Sequence, residues 1–197
     1  SFDYFMVRAA GEPVHGFGGT SAGPEPLRRL HEQLDGYFSV REGQPLDDVG
    51  IVDIFNLVGK AVVAGGSRRS AFLALDAAGS DAFMHLKDPE WFPERNGPDG
   101  WSYLSNNSVI AQVGEDYTHV AEQVQLNGEP GLLWLDLCRK YGRLADPPLA
   151  REDVVVGVNP CGEVPLEDRE SCLLVEVYLP HIDSLAELRK VLRDAYT

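Results

Sequence analysis

Apolar positions along the chain fall into two kinds of spacing. Behind Pro26, Leu27, Leu30, Leu34 and Phe38 recur at three- and four-residue intervals, which predicts one buried helix face. After a break at Gly43 to Pro45, Asp47 or Asp48 is placed to cap a second helix with Ile51, Ile54, Phe55, Val58 and Val62 on its apolar face. Further helices are predicted over 79–87, over Thr118 to Leu126 with a stop at Asn127-Gly128, and at the end of the chain. That last helix starts at a Ser184/Glu187 capping box and gathers Leu185, Leu188, Val191 and Leu192 on one side. Between the helices lie short apolar runs that read as strands: residues 2–8 with mixed faces, Ala71 to Leu75, a strand after Ser105-Asn106-Asn107-Ser108, Leu132 to Cys138, Val154 to Val158 and Leu173 to Leu179. Cys138 is expected in or near its strand as a small hydrophobe. Residues 88–100 and 139–153 read as polar loops, and 167–170 as a charged turn. Helix, glycine loop and strand in alternation predict an α/β fold.

Three polar stretches interrupt this pattern. Residues 11–24 hold five glycines in fourteen positions, Gly18 and Gly19 among them. Such a backbone can approach a phosphate or a base closely, or can be an ordinary mobile connection. It is not a P-loop, because no G-K-[ST] closes it. Gly65-Gly66-Ser67-Arg68-Arg69-Ser70 ends the second helix, and paired arginines there can grip a phosphate or sit in solvent. Ser105, Asn106, Asn107 and Ser108 put four small polar side chains at a strand end, where a substrate contact or a plain turn fits equally.

Composition narrows the function classes. The 197 residues carry a net charge of −14, which disfavours binding along a nucleic-acid backbone but not a local phosphate site. No run of 18 apolar residues and no signal-peptide pattern occurs, so the expected location is the cytosol, away from membranes. Three cysteines, Cys138, Cys161 and Cys172, fit a reducing compartment. A first residue other than Met, inside an apolar run, and an amphipathic last segment suggest a portion of a longer polypeptide.

The densest chemistry is Val158-Asn159-Pro160-Cys161-Gly162-Glu163-Val164-Pro165-Leu166, followed by Cys172. Pro160 and Gly162 keep this stretch bent and non-helical, so Asn159, Cys161 and Glu163 can converge on one small volume. A carboxylate beside a thiol disfavours a thiolate, which argues against a thiolate nucleophile or zinc and leaves a thiol used in neutral form, as in hydrogen-atom transfer. A turn with a partly buried cysteine is the plainer alternative. A metal site from Cys161, Cys172 and His181 lacks a clear fourth ligand.

Five segments in order resemble the catalytic subunit of adenosylcobalamin-dependent (class II) ribonucleotide reductases, in the monomeric ribonucleoside-triphosphate reductase branch. They are Gly16–Leu27, Val62–Ala71, Ser105–Val109, Asn127–Gly131 with Leu135–Leu137, and Asn159–Glu163 with Cys172 and Glu176-Val177. The resemblance implies that residues 1–197 are the middle part of a single ten-stranded α/β barrel, with specificity loops at 11–24 and 64–70 and a central radical loop at 158–166. It implies reduction of ribonucleotides, as triphosphates, to 2′-deoxyribonucleotides for DNA synthesis. Homolysis of the cobalt–carbon bond of adenosylcobalamin would generate a thiyl radical at Cys161, which abstracts the ribose 3′ hydrogen. Glu163 would take the 3′-OH proton, Asn159 would hydrogen-bond the ribose hydroxyls, and Cys172 would be half of a reducing dithiol. Gly18, Gly19, Gly65, Gly66, Ser67, Arg68 and Arg69 would link a deoxynucleotide effector to the substrate base, with Ser105 to Ser108 near the substrate. A thioredoxin-type protein would restore the dithiol. Leu173 stands where the family usually has Asn, and Ser67 where a larger apolar residue is common. The first redox cysteine, the C-terminal cysteine pair, the downstream phosphate loop and a cobalamin-binding segment belong to the rest of such an enzyme, so the chain is not expected to turn over alone. The alternatives are a non-catalytic nucleotide-binding fragment that keeps the effector loops, and a diphosphate-type reductase.

Overall fold

The computed structural model describes residues 2–16, 18–66, 70–77, 79–142 and 154–196. Two long helices come first, α1 (Glu25–Ser39) and α2 (Asp48–Val63). Asp47 caps α2 by accepting a hydrogen bond from the Gly50 amide at 2.7 Å, which satisfies one of the helix's orphan donors. Strand β1 (Phe72–Asp76) follows, then two single-turn helices, α3 (Asp81–Met84) and α4 (Pro93–Asn96), and a 3-10 turn at Ser102–Leu104. Strand β2 (Ser105–Ile110), helix α5 (Thr118–Asn127) and strand β3 (Gly131–Leu133) form a second crossover unit. Gly128 ends α5 in the left-handed region, at φ 86°, where its amide returns to the Val124 carbonyl. The chain closes with α6 (Leu135–Tyr141), a hairpin of β4 (Gly157–Val158) and β5 (Pro165–Leu166), a 3-10 turn at Leu179–His181, and α7 (Leu185–Tyr196).

The three longer strands make a parallel sheet in the order β1-β2-β3. Parallel neighbours need crossover connections, and here these run through α3–α4 and through α5. The core lies where the sheet meets the helices: Val52 of α2, Ala74 of β1, Phe83 and Met84 of α3, Leu86, Val109 of β2 and Val120 of α5. The described residues thus form a mixed α/β structure with a small parallel sheet, and these strands do not close into a barrel.

A buried ion pair fastens α2 to the α4 region. The Arg95 Nε donates to Asp53 Oδ1 at 2.5 Å, Trp101 Nε1 donates to the same oxygen at 2.6 Å, and Arg95 Nη1 donates to the Leu86 carbonyl. Arg95 lies within a helical turn in a stretch expected to be loop throughout.

Several expectations about elements are corrected. The inward face of α2 is not Ile51, Phe55, Val58 and Val62, which are exposed, but Val52, Asp53, Asn56, Leu57 and Gly59. The helix is apolar on nearly every side, so periodicity cannot choose its face. The choice falls to the polar residues with partners inside, Asp53 on Arg95 and Asn56 on Ser105. Residues 2–8 form a turn instead of a strand; Phe2 stacks on His31 of α1 and the Tyr4 hydroxyl meets His31 Nδ1 at 2.8 Å. Leu132 to Cys138 is split between β3 and α6. Asp136 and Arg139 pair across one helical turn at 3.0 Å, and Leu137 is exposed as no residue of a doubly covered strand could be. Cys138 therefore lies on a helix. Of Val154 to Val158, Val155 is buried while Val154 and Val156 are exposed. Leu173 to Leu179 runs exposed, without a strand partner among the described residues.

Candidate active site

The hairpin β4–β5 carries the thiol. Its turn is closed from within: the Asn159 amide donates to the Val164 carbonyl at 3.1 Å, the Gly162 amide to the Asn159 carbonyl at 2.9 Å, and the Val164 amide to Asn159 Oδ1 at 3.0 Å. Gly162 sits at φ 84°, a conformation that L side chains rarely adopt, which fits the residue to this turn. Asn159 is 4 % exposed, and its remaining polar group, Nδ2, lies 3.4 Å from Cys172 Sγ. Cys161 and Glu163 stand exposed at the tip. The structure therefore brings Asn159 and Cys172 into direct contact. It also engages both polar atoms of the Asn159 side chain inside the protein.

Beside the tip is a cavity of about 340 Å³, with Asn106, Ser108, Glu129, Gly131, Pro160 and Cys161 in its wall. The four small polar residues expected before a strand are in the strand itself, and alternation divides them. Ser105 is buried toward the helices, where Asn56 Nδ2 of α2 donates to its Oγ at 3.2 Å, and Asn107 is buried beside the cavity. Asn106 and Ser108 point the other way from Ser105. The Asn106 Nδ2 donates to the Pro160 carbonyl at 2.5 Å. Ser108 stands opposite Gly131, where an added Cβ would lie 2.7 Å from the Ser108 Oγ.

Glu129 is the residue that the sequence pattern did not single out. It stands between the end of α5 and β3 in Asn127-Gly128-Glu129-Pro130-Gly131, a stretch read as a helix stop and as one of the family-like segments, with no role for Glu129 itself. In the structure its carboxylate pairs with Lys87 Nζ at 2.8 Å and accepts the Asn107 amide at 3.2 Å. Both side chains of the pair are about four-fifths buried (19 % and 20 % exposed). A charged residue flanked by glycine and proline at a strand entry is the signal that could have found it.

The two glycine-rich loops approach one another. A Cβ at Gly65 would lie 3.2 Å from the Thr20 carbonyl and 3.6 Å from the Ala22 amide. The loop at 11–24 is folded back on itself, with a bridge between Pro13 and Thr20 and amide bonds from Gly11 to Ser21 and from Ser21 to Glu12. The Gly18 amide bonds the Val14 carbonyl, and the Gly19 carbonyl accepts from Val14, so these groups are used internally. Gly66 sits at φ 67°. Ser67, Arg68 and Arg69 lie outside the described residues. Among the described residues, no group of three or more His, Cys, Asp and Glu could hold a metal, and no helix is long and apolar enough to cross a membrane.

A parallel α/β sheet with a cysteine-bearing hairpin at a polar cavity is the setting in which the similarity to known proteins falls. The chain is 40 % identical over 196 residues to a probable adenosylcobalamin-dependent ribonucleoside-triphosphate reductase of Dictyostelium discoideum, covering 99 % of this chain and 26 % of that protein. It is 40 % identical over 194 residues to the adenosylcobalamin-dependent ribonucleoside-triphosphate reductase of Euglena gracilis, covering 98 % and 26 %. It is 43 % identical over 182 residues to the enzyme of the same name from Lactobacillus helveticus, covering 91 % and 24 %. No family model and no solved structure matches the chain. Nearly all of the chain is thus homologous to a segment of adenosylcobalamin-dependent ribonucleoside-triphosphate reductases, and it spans about a quarter of the length of these relatives.

Proposed function

We propose that the chain is part of the catalytic barrel of an adenosylcobalamin-dependent ribonucleoside-triphosphate reductase, and that the cavity beside Cys161 takes the ribose of the substrate. The observation that carries this reading is the exposed Cys161 opening onto a polar cavity with Asn106 and Ser108 in its wall. Cys161 is the hydrogen-abstracting thiol, Glu163 at the same tip is the base for the 3′-hydroxyl, and Cys172 is one of two thiols that reduce the 2′ position. In the net reaction two thiols lose two electrons and two protons, the 2′-hydroxyl leaves as water, and a disulfide forms. The second thiol comes from elsewhere in the complete protein, and a thioredoxin-type reductant restores the pair. Asn159 starts the cycle bonded to Cys172 and exchanges that contact for a ribose hydroxyl when substrate enters. The loops at 11–24 and 64–70, which meet at Gly65 and Thr20, form the effector-responsive part, with Ser67, Arg68 and Arg69 between effector and substrate. The small odd number of cysteines suits action in the cytosol.

A corrin macrocycle is far larger than the 340 Å³ cavity, and no histidine or lysine lines it. That cavity is not a cobalamin site, and the residues named above serve the nucleotide side of the reaction. The test is made on the complete protein expressed from its gene, supplied with a ribonucleoside triphosphate, adenosylcobalamin and a dithiol. Deoxynucleoside triphosphate is the expected product, and Cys161→Ser is expected to abolish it. Product formation by Cys161→Ser would remove Cys161 from its role, and exclusive use of diphosphates would correct the substrate.

A further inference from the structure

Two side-chain hydrogen bonds hold the β4–β5 hairpin to α6 and to β2. At its base, Arg139 Nε of α6 donates to the Val155 carbonyl at 2.9 Å. At its tip, Asn106 Nδ2 of β2 donates to the Pro160 carbonyl, the peptide oxygen immediately before Cys161. Among the described residues, the other hydrogen bonds of the tip run within the turn, apart from the contact of Asn159 Nδ2 with Cys172 Sγ. They fix its shape but not its distance from the sheet. The Asn106 bond joins two segments 54 residues apart and sets where the thiol stands relative to the cavity.

The strand that carries Asn106 is itself held at that height. The next amide, that of Asn107, lies beyond the start of β3, whose register pairs Gly131 with Ser108. Glu129 takes the place of the missing strand partner by accepting the Asn107 amide at 3.2 Å, and Lys87 fixes the carboxylate at 2.8 Å. A chain of contacts therefore runs from Lys87 through Glu129 and β2 to Asn106, Pro160 and the Cys161 backbone. Its charged members are mostly buried, so the orientation is held by an ion pair shielded from solvent.

We infer that Asn106 is a positioning residue for Cys161: its amide acts through the Pro160 carbonyl to set the thiol over the cavity, and Lys87–Glu129 hold the strand from which it reaches. This rests on the proposed reductase reading for its effect on turnover, but not for its effect on the hairpin. A residue that only contacts substrate would alter nucleotide affinity and leave the free tip unchanged.

The experiment compares Asn106→Ala and Asn106→Asp with the parent in the complete protein. Asp has the shape of Asn and cannot donate to a carbonyl when ionised. Without any nucleotide or cofactor, both variants are expected to raise amide exchange at Gly162 and Val164 by about five- to tenfold, the effect of one lost hydrogen bond. Alkylation of Cys161 by iodoacetamide should change in the same two variants. If the parent turns over, kcat is expected to fall by about 10²-fold for a displacement on the order of 1 Å, with nucleotide Kd within about twofold. Unchanged exchange and alkylation would overturn the inference, and so would a raised Kd with unchanged kcat, which marks a substrate contact. Exchange and alkylation that change as expected in a parent without reductase activity would uphold the positioning role and remove the reductase reading alone.

Discussion

Replacing Asn159 tests how the thiol turn is built. Its Oδ1 accepts the Val164 amide at 3.0 Å, and its Nδ2 meets Cys172 Sγ at 3.4 Å. In Asn159→Ala the Val164 donor loses its acceptor inside a turn where the parent side chain is 4 % exposed. A lost net hydrogen bond costs about 1 kcal/mol, and a donor left without water costs about 1–3 kcal/mol. The weak contact to sulfur adds little to this. The turn should therefore open more readily by about 1–3 kcal/mol, which is roughly five- to 150-fold in local exchange at Val164. The backbone bond from Gly162 to the Asn159 carbonyl survives the substitution, so exchange at Gly162 should rise less than at Val164. Asn159→Asp separates the two contacts: it keeps the acceptor for Val164 and removes the donor to Cys172. Its Val164 exchange should stay near the parent value while Cys172 reacts differently with iodoacetamide. Hydrogen exchange read by mass spectrometry on the complete protein reports both. Val164 exchange in Asn159→Ala equal to that of the parent would refute the view that this side chain closes the turn.

Two further outcomes concern the scaffold. Asp53→Ala strands the Arg95 guanidinium, 4 % exposed, and should destabilise the α2–α4 packing by about 3–5 kcal/mol, seen as faster exchange across Val52 to Leu57; a loss below about 1 kcal/mol, the scale of a surface pair, would show that water replaces the carboxylate. Tyr37 is held above the ordinary tyrosine range chiefly by burial, with smaller opposing effects of Arg41 and Asp47, and its hydroxyl has no hydrogen-bond partner among the described residues. A raised folded value means that the folded state keeps its proton longer than the unfolded one. Stability is then full below about pH 10, the unfolded value, and falls as pH rises from there through the folded value. Tyr37→Phe should cost little at neutral pH and flatten that alkaline loss in urea titrations; an unchanged alkaline profile would assign the loss to other groups.

What could be read from the sequence follows the range of each interaction. The Asp47 cap and the Gly128 stop act within four residues, and both helix boundaries follow from them. The helices α1, α2 and α5 and the strand β1 were legible for that reason. The buried side of α2 was not, because it is decided by Arg95 and Ser105, 42 and 49 residues away. The split of Leu132 to Cys138 was hidden for a related reason: a short apolar run has the same composition in a buried strand and in a helix. At the candidate site, the bent turn that leaves Cys161 and Glu163 exposed at its tip follows from Pro160 and Gly162 between apolar runs, whereas the turning of Asn159 inward onto Cys172, away from the other two, does not. The place of Asn106 at the tip and of Glu129 in the cavity wall comes from tertiary contacts that no local spacing encodes.

Strand β2 works as a two-sided ruler. Ser105 and Val109 belong to the scaffold, and the even positions Asn106 and Ser108 face the cavity. Point substitutions at 108 can therefore retune the pocket, and those at 106 the place of the thiol beside it, while the helix packing stays intact. A single-residue insertion just before Ser105 would do the reverse. It would exchange the two sets at once, turn Val109 toward the cavity and send Asn106 and Ser108 into the apolar layer. Length in this stretch should thus be far less tolerant of change than identity, and a library of one-codon insertions scored beside one of substitutions would show the difference directly.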